Sequence, residues 1–228
     1  MSAEAPALLK KVPLFSTLDD QALSGLASCV RRRALRKDTI VFHKDQAGDA
    51  LYLVESGHVR IFLPTESGGE LTVEIARPGD VFGELALLDG RPRSASAETI
   101  EDTSLYVLAH EDFQRFLSAT PQFATSLIAL LSTRIRQLTE YAESLAFLDI
   151  HGRVARALLQ AAERHGTKTS NGTEIDFDMT QSELASMIGA TRERVNRALT
   201  SFRAQALIEL RGKKIVLLDP ARLKQRIY

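Results

Sequence analysis

Residues 82–97, FGELALLDGRPRSASA, hold the densest set of groups suited to binding an anion. Gly83 lets a backbone approach a ligand closely. A short helical turn at Glu84–Leu87, with Leu85 inside it, would direct free amides at a negative group. Arg93 supplies a forked cationic donor and Ser94 a hydroxyl beside it, a combination that suits a phosphate. Glu84 can accept from a ribose hydroxyl. A plainer reading makes Arg93 and Glu84 a structural ion pair and leaves Arg91 on the surface.

A second constellation lies near the carboxy terminus. Thr180 followed by Glu183 forms a capping box that opens a helix over Thr180–Ile188. Gly189 ends it where the chain takes a left-handed conformation. Thr191 caps a second helix whose polar side carries Arg192, Glu193, Arg194, Arg197 and Arg203. Ala185, Ile188, Val195 and Leu199 supply the packing between the two helices. In this plan the second helix enters the DNA major groove. Arg can donate twice to guanine, and Glu can accept from cytosine. RGKKIVL would form a β wing offering Lys213 and Lys214 to phosphates. An ordinary helical hairpin with a charged outer face is the competing interpretation.

The elements that must position these groups differ along the chain. Seven of the thirteen glycines fall between residues 48 and 90 and punctuate short β-prone runs. Those runs are Thr39–Phe42, Leu51–Val54, Val59–Leu63, Leu71–Ile75 and Leu105–Leu108. Such spacing predicts an antiparallel sandwich or barrel, preceded by a helix around Leu18–Ala27. No glycine or proline interrupts Gln122–Ile150, enough for about 40 Å of helix. Leu127, Leu131, Leu138, Tyr141, Leu145 and Leu148 trace a heptad seam, with Arg134 at its one missing position. That pattern predicts pairing with a second copy, against the plainer reading of a helix packed on its own β domain, with Arg134 reaching sideways to a partner charge; Glu84 is a candidate for it. Asp149 is the expected N-cap of a further helix closed by Gly166, and TKTSNGTE reads as a loop.

Composition bounds the function. The chain has 228 residues, room for two domains, with 44% hydrophobic and 25% charged residues, and so reads as globular. Cys29 is the single cysteine, which excludes a disulfide framework and sites built from several thiolates. No metal is expected. The absence of a long apolar run and of a secretory start predicts a cytoplasmic chain with no membrane partner. Residues 149–228 carry 14 Lys+Arg against 9 Asp+Glu, a net of +5, and the rest carries 15 against 20, a net of −5. A basic tail suits a polyanion. The tail contains no glycine-rich phosphate loop and no HExxH, which argues against an enzyme.

Phe82-Gly83-Glu84-Leu85-Ala86, six residues, then Arg93-Ser94-Ala95 resembles the phosphate-binding cassette of cyclic-nucleotide-binding domains. Gly189-Ala190-Thr191-Arg192-Glu193-Arg194-Val195-Asn196-Arg197 resembles the winged helix-turn-helix of the bacterial cyclic-AMP receptor protein (CRP/FNR) family. The resemblance covers nearly the whole chain in family order, including LAFLD (Leu145–Asp149), with Asp149 and Gly152 at the expected hinge. It implies an α+β fold: a jelly-roll-like β roll over residues 1–121, a dimerisation helix over 122–148 and a winged helix-turn-helix over 149–228.

It further implies that Gly83 and Glu84 hold a ribose, with Arg93 and Ser94 on the cyclic phosphate. Arg192, Glu193 and Arg197 would read a TGTGA-type half-site. The implied effector is cyclic AMP. The implied partners are double-stranded DNA, a second copy of the chain and RNA polymerase. Where the cyclic-AMP receptor grips adenine with adjacent Thr and Ser, this chain has Leu138-Thr139. Thr139 keeps a hydroxyl for the base, but Leu138 has none, so cyclic GMP stays open as the effector. Cysteine usage removes the iron–sulfur branch of the family. Five scattered histidines (His43, His58, His110, His151, His165) leave a haem branch open.

Overall fold

The computed structural model describes residues 9–64, 69–176, 181–212 and 214–227, with backbone alone at 164, 165, 176 and 181–183. Two units divide the chain, Met1–Ile135 and Arg136–Tyr228.

After a 3-10 turn at Pro13–Phe15 the first unit forms α1 (Asp20–Cys29), two residues later than the expected start. Asp19 sets that boundary, because its carboxylate accepts from the Ala22 N–H at 2.7 Å. The strands are β1 (Arg31–Leu35), β2 (Ile40–Phe42), β3 (Ala50–Ser56), β4 (Val59–Pro64), β5 (Glu70–Ala76) and β6 (Val81–Phe82). The chain continues through α2 (Leu85–Asp89), β7 (Ser96–Thr99), β8 (Thr103–Ala109), α3 (His110–Ala119) and α4 (Pro121–Phe147). Two four-stranded antiparallel sheets form, ordered β1-β8-β3-β6 and β2-β7-β4-β5.

Strand β3 explains why the unit holds together. Its period-two alternation sends Tyr52 and Val54 into one cluster with Phe42, Val59, Phe82 and Leu105. Leu51 and Leu53 enter a second cluster with Phe15, Leu26, Phe113 and Phe123, supplied by the flanking helical segments. Both faces of β3 are therefore buried. Each such side chain contributes about 1.5–3 kcal/mol on burial.

Helix α4 corrects the expected seam. Leu127 is 3% exposed and packs in its own unit's core, and Arg134 turns to Glu84 and Glu74 of its own unit. Besides Phe147 at the end of the helix, the large apolar residues of α4 left in solvent are Ile128, Ile135, Leu138 and Leu145. With half-buried Leu131 and exposed Ala142 they form a heptad stripe one residue out of phase with the expected one at every other position. The sequence pattern merged two faces: Leu131, Leu138 and Leu145 belong to the stripe, whereas Leu127, Arg134, Tyr141 and Leu148 face the chain's own units.

In the second unit α5 (Ile150–His165) is capped by Asp149, which accepts from the Gly152 N–H at 2.7 Å. A Cβ on Gly152 would lie 3.2 Å from the Arg226 carbonyl, so close packing uses its small size. Gly166 follows with φ −75°, extended and not left-handed, because it begins β9 (Gly166–Thr169). The stretch expected as a loop is a hairpin of β9 and β10 (Gly172–Asp176), paired Thr173 to Lys168. Then come α6 (Gln181–Met187), α7 (Arg192–Ala204), β11 (Ile208–Arg211), β12 (Lys214–Leu217) and α8 (Pro220–Lys224). The wing is thus part of a four-stranded sheet, β11-β12-β10-β9, over a core of Val154, Leu158, Leu184, Val195, Leu199 and Phe202.

Candidate functional site

The first site is built on the turn that leaves β6. Gly83 has φ +83°, and a Cβ there would lie 2.7 Å from Arg93 Nη1 and 3.3 Å from Tyr52. Only glycine fits that conformation and that crowding. Glu84 precedes α2, and its carbonyl accepts from the N–H groups of Leu87 and Leu88. Leu85 is 44% exposed at the start of this short helix. Gly90, with φ +67°, ends it and returns the chain toward Arg93 and β7.

Arg93 is 2% exposed and firmly held. Its Nη1 donates to the Gly83 carbonyl at 2.6 Å. Nη2 donates to the Ala50 carbonyl at 2.8 Å and to Asp49 Oδ1 at 2.9 Å. The guanidinium lies 4.3 Å from the Phe42 ring centroid, a cation–π contact. Ser94, next in the chain, is exposed. Asp49 and Phe42 were not apparent from the sequence; Asp49, just before β3, gives no spacing signal linking it to an arginine over forty residues away.

Arg93 and Glu84 do not pair with each other. Glu84, 1% exposed, is held by Arg134, whose Nη1 donates to Glu84 Oε1. Arg134 also donates through Nη2 to the Val81 carbonyl at 2.5 Å and to Glu74 Oε1 at 3.3 Å. Burial works against the Arg134 charge, but Glu84 and Glu74 outweigh it and hold the guanidinium above its ordinary pKa. Burial raises the Glu74 carboxyl, and neighbouring Asp80 and Glu84 add to the rise against the pull of Arg134. Among the described residues, Glu84 Oε2 and Arg93 Nε are buried without a hydrogen-bond partner. An acceptor and a donor so placed fit a ribose hydroxyl and a phosphate oxygen.

Leu138 and Thr139 lie further along α4, within the second unit, and both are exposed, Leu138 at 52%. The cassette belongs to the first unit and these two residues to the second.

The second site is the pair α6–α7. Gly189, φ +62°, makes the turn, with the Ala190 N–H donating to the Ala185 carbonyl at 2.9 Å. Arg153 from α5 donates through Nη1 to the Ile188 carbonyl at 2.7 Å, satisfying the end of α6. Thr191 is the N-cap of α7 and accepts from the Arg194 N–H at 3.4 Å. Val195, Ala198, Leu199 and Phe202 are buried, which leaves Arg192, Glu193, Asn196 and Arg197 in solvent. Thr180 and Lys213 lie outside the described residues. Lys214 Nζ donates to Glu174 at 2.6 Å, so this wing lysine is engaged with a carboxylate on β10. Among the described residues no helix is long and apolar enough to cross a membrane.

Comparison with known proteins finds a family for each unit. Residues 32–120 match the cyclic nucleotide-binding domain family and residues 152–226 the Crp-like helix-turn-helix domain family. A CRP-like cAMP-activated global transcriptional regulator of Mycobacterium tuberculosis is 32% identical over 219 residues, spanning 96% of this chain and 98% of its own. The cyclic AMP receptor protein of Thermus thermophilus is 34% identical over 217 residues, 95% of this chain and 97% of its own. The solved structure of FixK2 from Bradyrhizobium japonicum has a TM-score of 0.78 at 25% identity, covering 87% of this chain and 98% of that one. That of Thermus thermophilus catabolite activator protein has a TM-score of 0.55 at 33% identity, covering 94% and 98%. With the cassette in the first unit and the two-helix reader in the second, the chain belongs to the cyclic-AMP receptor protein (CRP/FNR) family, transcription regulators that join a cyclic-nucleotide-binding domain to a DNA-binding helix-turn-helix and are not enzymes.

Proposed function

We propose that the chain is a cytoplasmic, homodimeric regulator that binds palindromic TGTGA-type sites in response to cyclic AMP and acts on RNA polymerase. Residues 1–121 would hold the effector, 122–148 the dimer contact and 149–228 the DNA reader. The observation that carries this reading is the pair of unsatisfied buried atoms, Glu84 Oε2 and Arg93 Nε, in one cassette. Glu84 would accept from the ribose 2′-hydroxyl; Arg93 and Ser94 would donate to the cyclic phosphate. Asp49 already occupies one side of the Arg93 fork, so binding must beat or rearrange that pair.

Arg134 gives the effector a route to the rest of the molecule. It ties Glu84 to α4, so a ligand that changes what Glu84 holds biases the position of that helix. A two-fold dimer would present two copies of α7, with Arg192 and Arg197 donating to guanine and Glu193 accepting from cytosine. Cyclic GMP is the second reading, favoured by Leu138, which offers the adenine amino group no partner. Titrating labelled palindromic DNA with the protein, alone and with each cyclic nucleotide, tests the proposal. Cyclic AMP is expected to tighten binding about tenfold or more, a coupling of about 1.4 kcal/mol. Equal binding with and without either nucleotide would overturn it.

A further inference from the structure

We infer that Asn196 is an additional specificity-determining residue of the DNA reader, selecting an adenine, and that Thr200 positions it. The inference rests on the DNA-reading role proposed for α7 and adds to it. Helix α7 buries Val195, Ala198, Leu199 and Phe202. At about 100° per residue, the other side of the first nine residues carries, in angular order, Arg192, Asn196, Thr200, Glu193 and Arg197. Every one of these is exposed. Asn196 therefore stands between Arg192 and the Glu193–Arg197 pair, one turn into the helix, where side chains reach base edges.

The amide is also oriented. Thr200 Oγ1 donates to Asn196 Oδ1 at 3.3 Å along the helix. That bond fixes which end of the amide faces the helix axis direction of Thr200. It leaves both Nδ2 hydrogens and one Oδ1 lone pair to spare. One donor and one acceptor side by side match adenine N7 and N6, the pairing Asn makes in the major groove. A guanine offers two acceptors there and a pyrimidine lacks N7, so the discrimination has a sign.

The test is competition binding of the full-length protein at fixed salt, against a half-site set with every single base substituted. Asn196→Ala is expected to erase the preference at one base pair, about tenfold, while preferences elsewhere and the salt dependence hold. Thr200→Val should weaken the preference at that same base pair by a smaller factor, with thermal unfolding unchanged. A uniform loss over all sequences in Asn196→Ala would place Asn196 on phosphate and overturn the inference, as would an unaltered preference. A wild-type protein with no base preference anywhere would instead remove the DNA-reading role on which the inference rests.

Discussion

Removing Arg93 does two things that the sequence alone would not separate. Its guanidinium satisfies the carbonyls of Gly83 and Ala50 and faces Asp49, all around a residue 2% exposed. Arg93→Ala would strand the buried Ala50 carbonyl, at about 1–3 kcal/mol, besides any loss of ligand binding. A melting temperature several degrees lower is therefore expected alongside weak binding. Ser94 gives the cleaner measurement, since its exposed hydroxyl is not part of that support. Ser94→Ala is expected to weaken cyclic-nucleotide binding by roughly 1.5–3 kcal/mol, the value of a hydrogen bond to a charged group, with unchanged unfolding. Isothermal titration beside a thermal melt decides it; full affinity in Ser94→Ala would take the phosphate away from the Arg93–Ser94 pair.

Helix α4 carries the prediction that belongs to a single element. Ile128, Ile135, Leu138 and Leu145 are exposed, Ile128 and Ile135 at 64% each. They stand a heptad or part of one apart, the geometry of a two-helix seam. A charge at the centre of such a seam would be desolvated without a partner, at a cost of several kcal/mol. Ile135→Asp is therefore expected to give monomers in sedimentation at micromolar concentration, whereas Arg134→Ala should leave the dimer intact. The reverse result would restore the sequence-derived phase. That phase failed for a physical reason: Leu127, Tyr141 and Leu148 are apolar because they pack on their own units, and periodicity cannot tell an inner face from a partner face. Other elements show where pattern suffices. Strands β3, β4 and β5 were legible because one or both faces are apolar and glycines bound them. Strand β1 was not, since RRRAL is a largely exposed edge with three successive arginines and no apolar alternation. Gly83, Glu84 and Arg93 were legible as a group from residue type and spacing, and Arg134 only as the one charge in an apolar seam, but which of them pair was settled by packing: Glu84 takes Arg134, and Arg93 takes Asp49 and backbone.

At the scale of the whole molecule, the charge asymmetry and the proposed two-fold pairing make one joint prediction. The carboxy-terminal part, 149–228, holds the +5 excess, so both readers of a dimer are drawn to a duplex while the −5 remainder is not. Each reader alone would bind a half-site weakly. Linked through one rigid pairing, the second contact becomes intramolecular and raises affinity by roughly 10²–10⁴-fold, provided both grooves face the protein. That condition holds for half-sites one helical turn, about 34 Å, apart. Inserting five base pairs between them turns the second half-site to the far side of the duplex. The wild-type protein with cyclic nucleotide is then expected to lose about 100-fold in affinity, down to that of a single half-site. Ile135→Asp should bind both spacings alike, because a monomer has no second reader to misplace. A gel-shift series over the two spacings and two proteins tests dimerisation and reading together: spacing that matters equally to both proteins would mean that the seam is elsewhere, and spacing that matters to neither would mean that each chain reads DNA on its own.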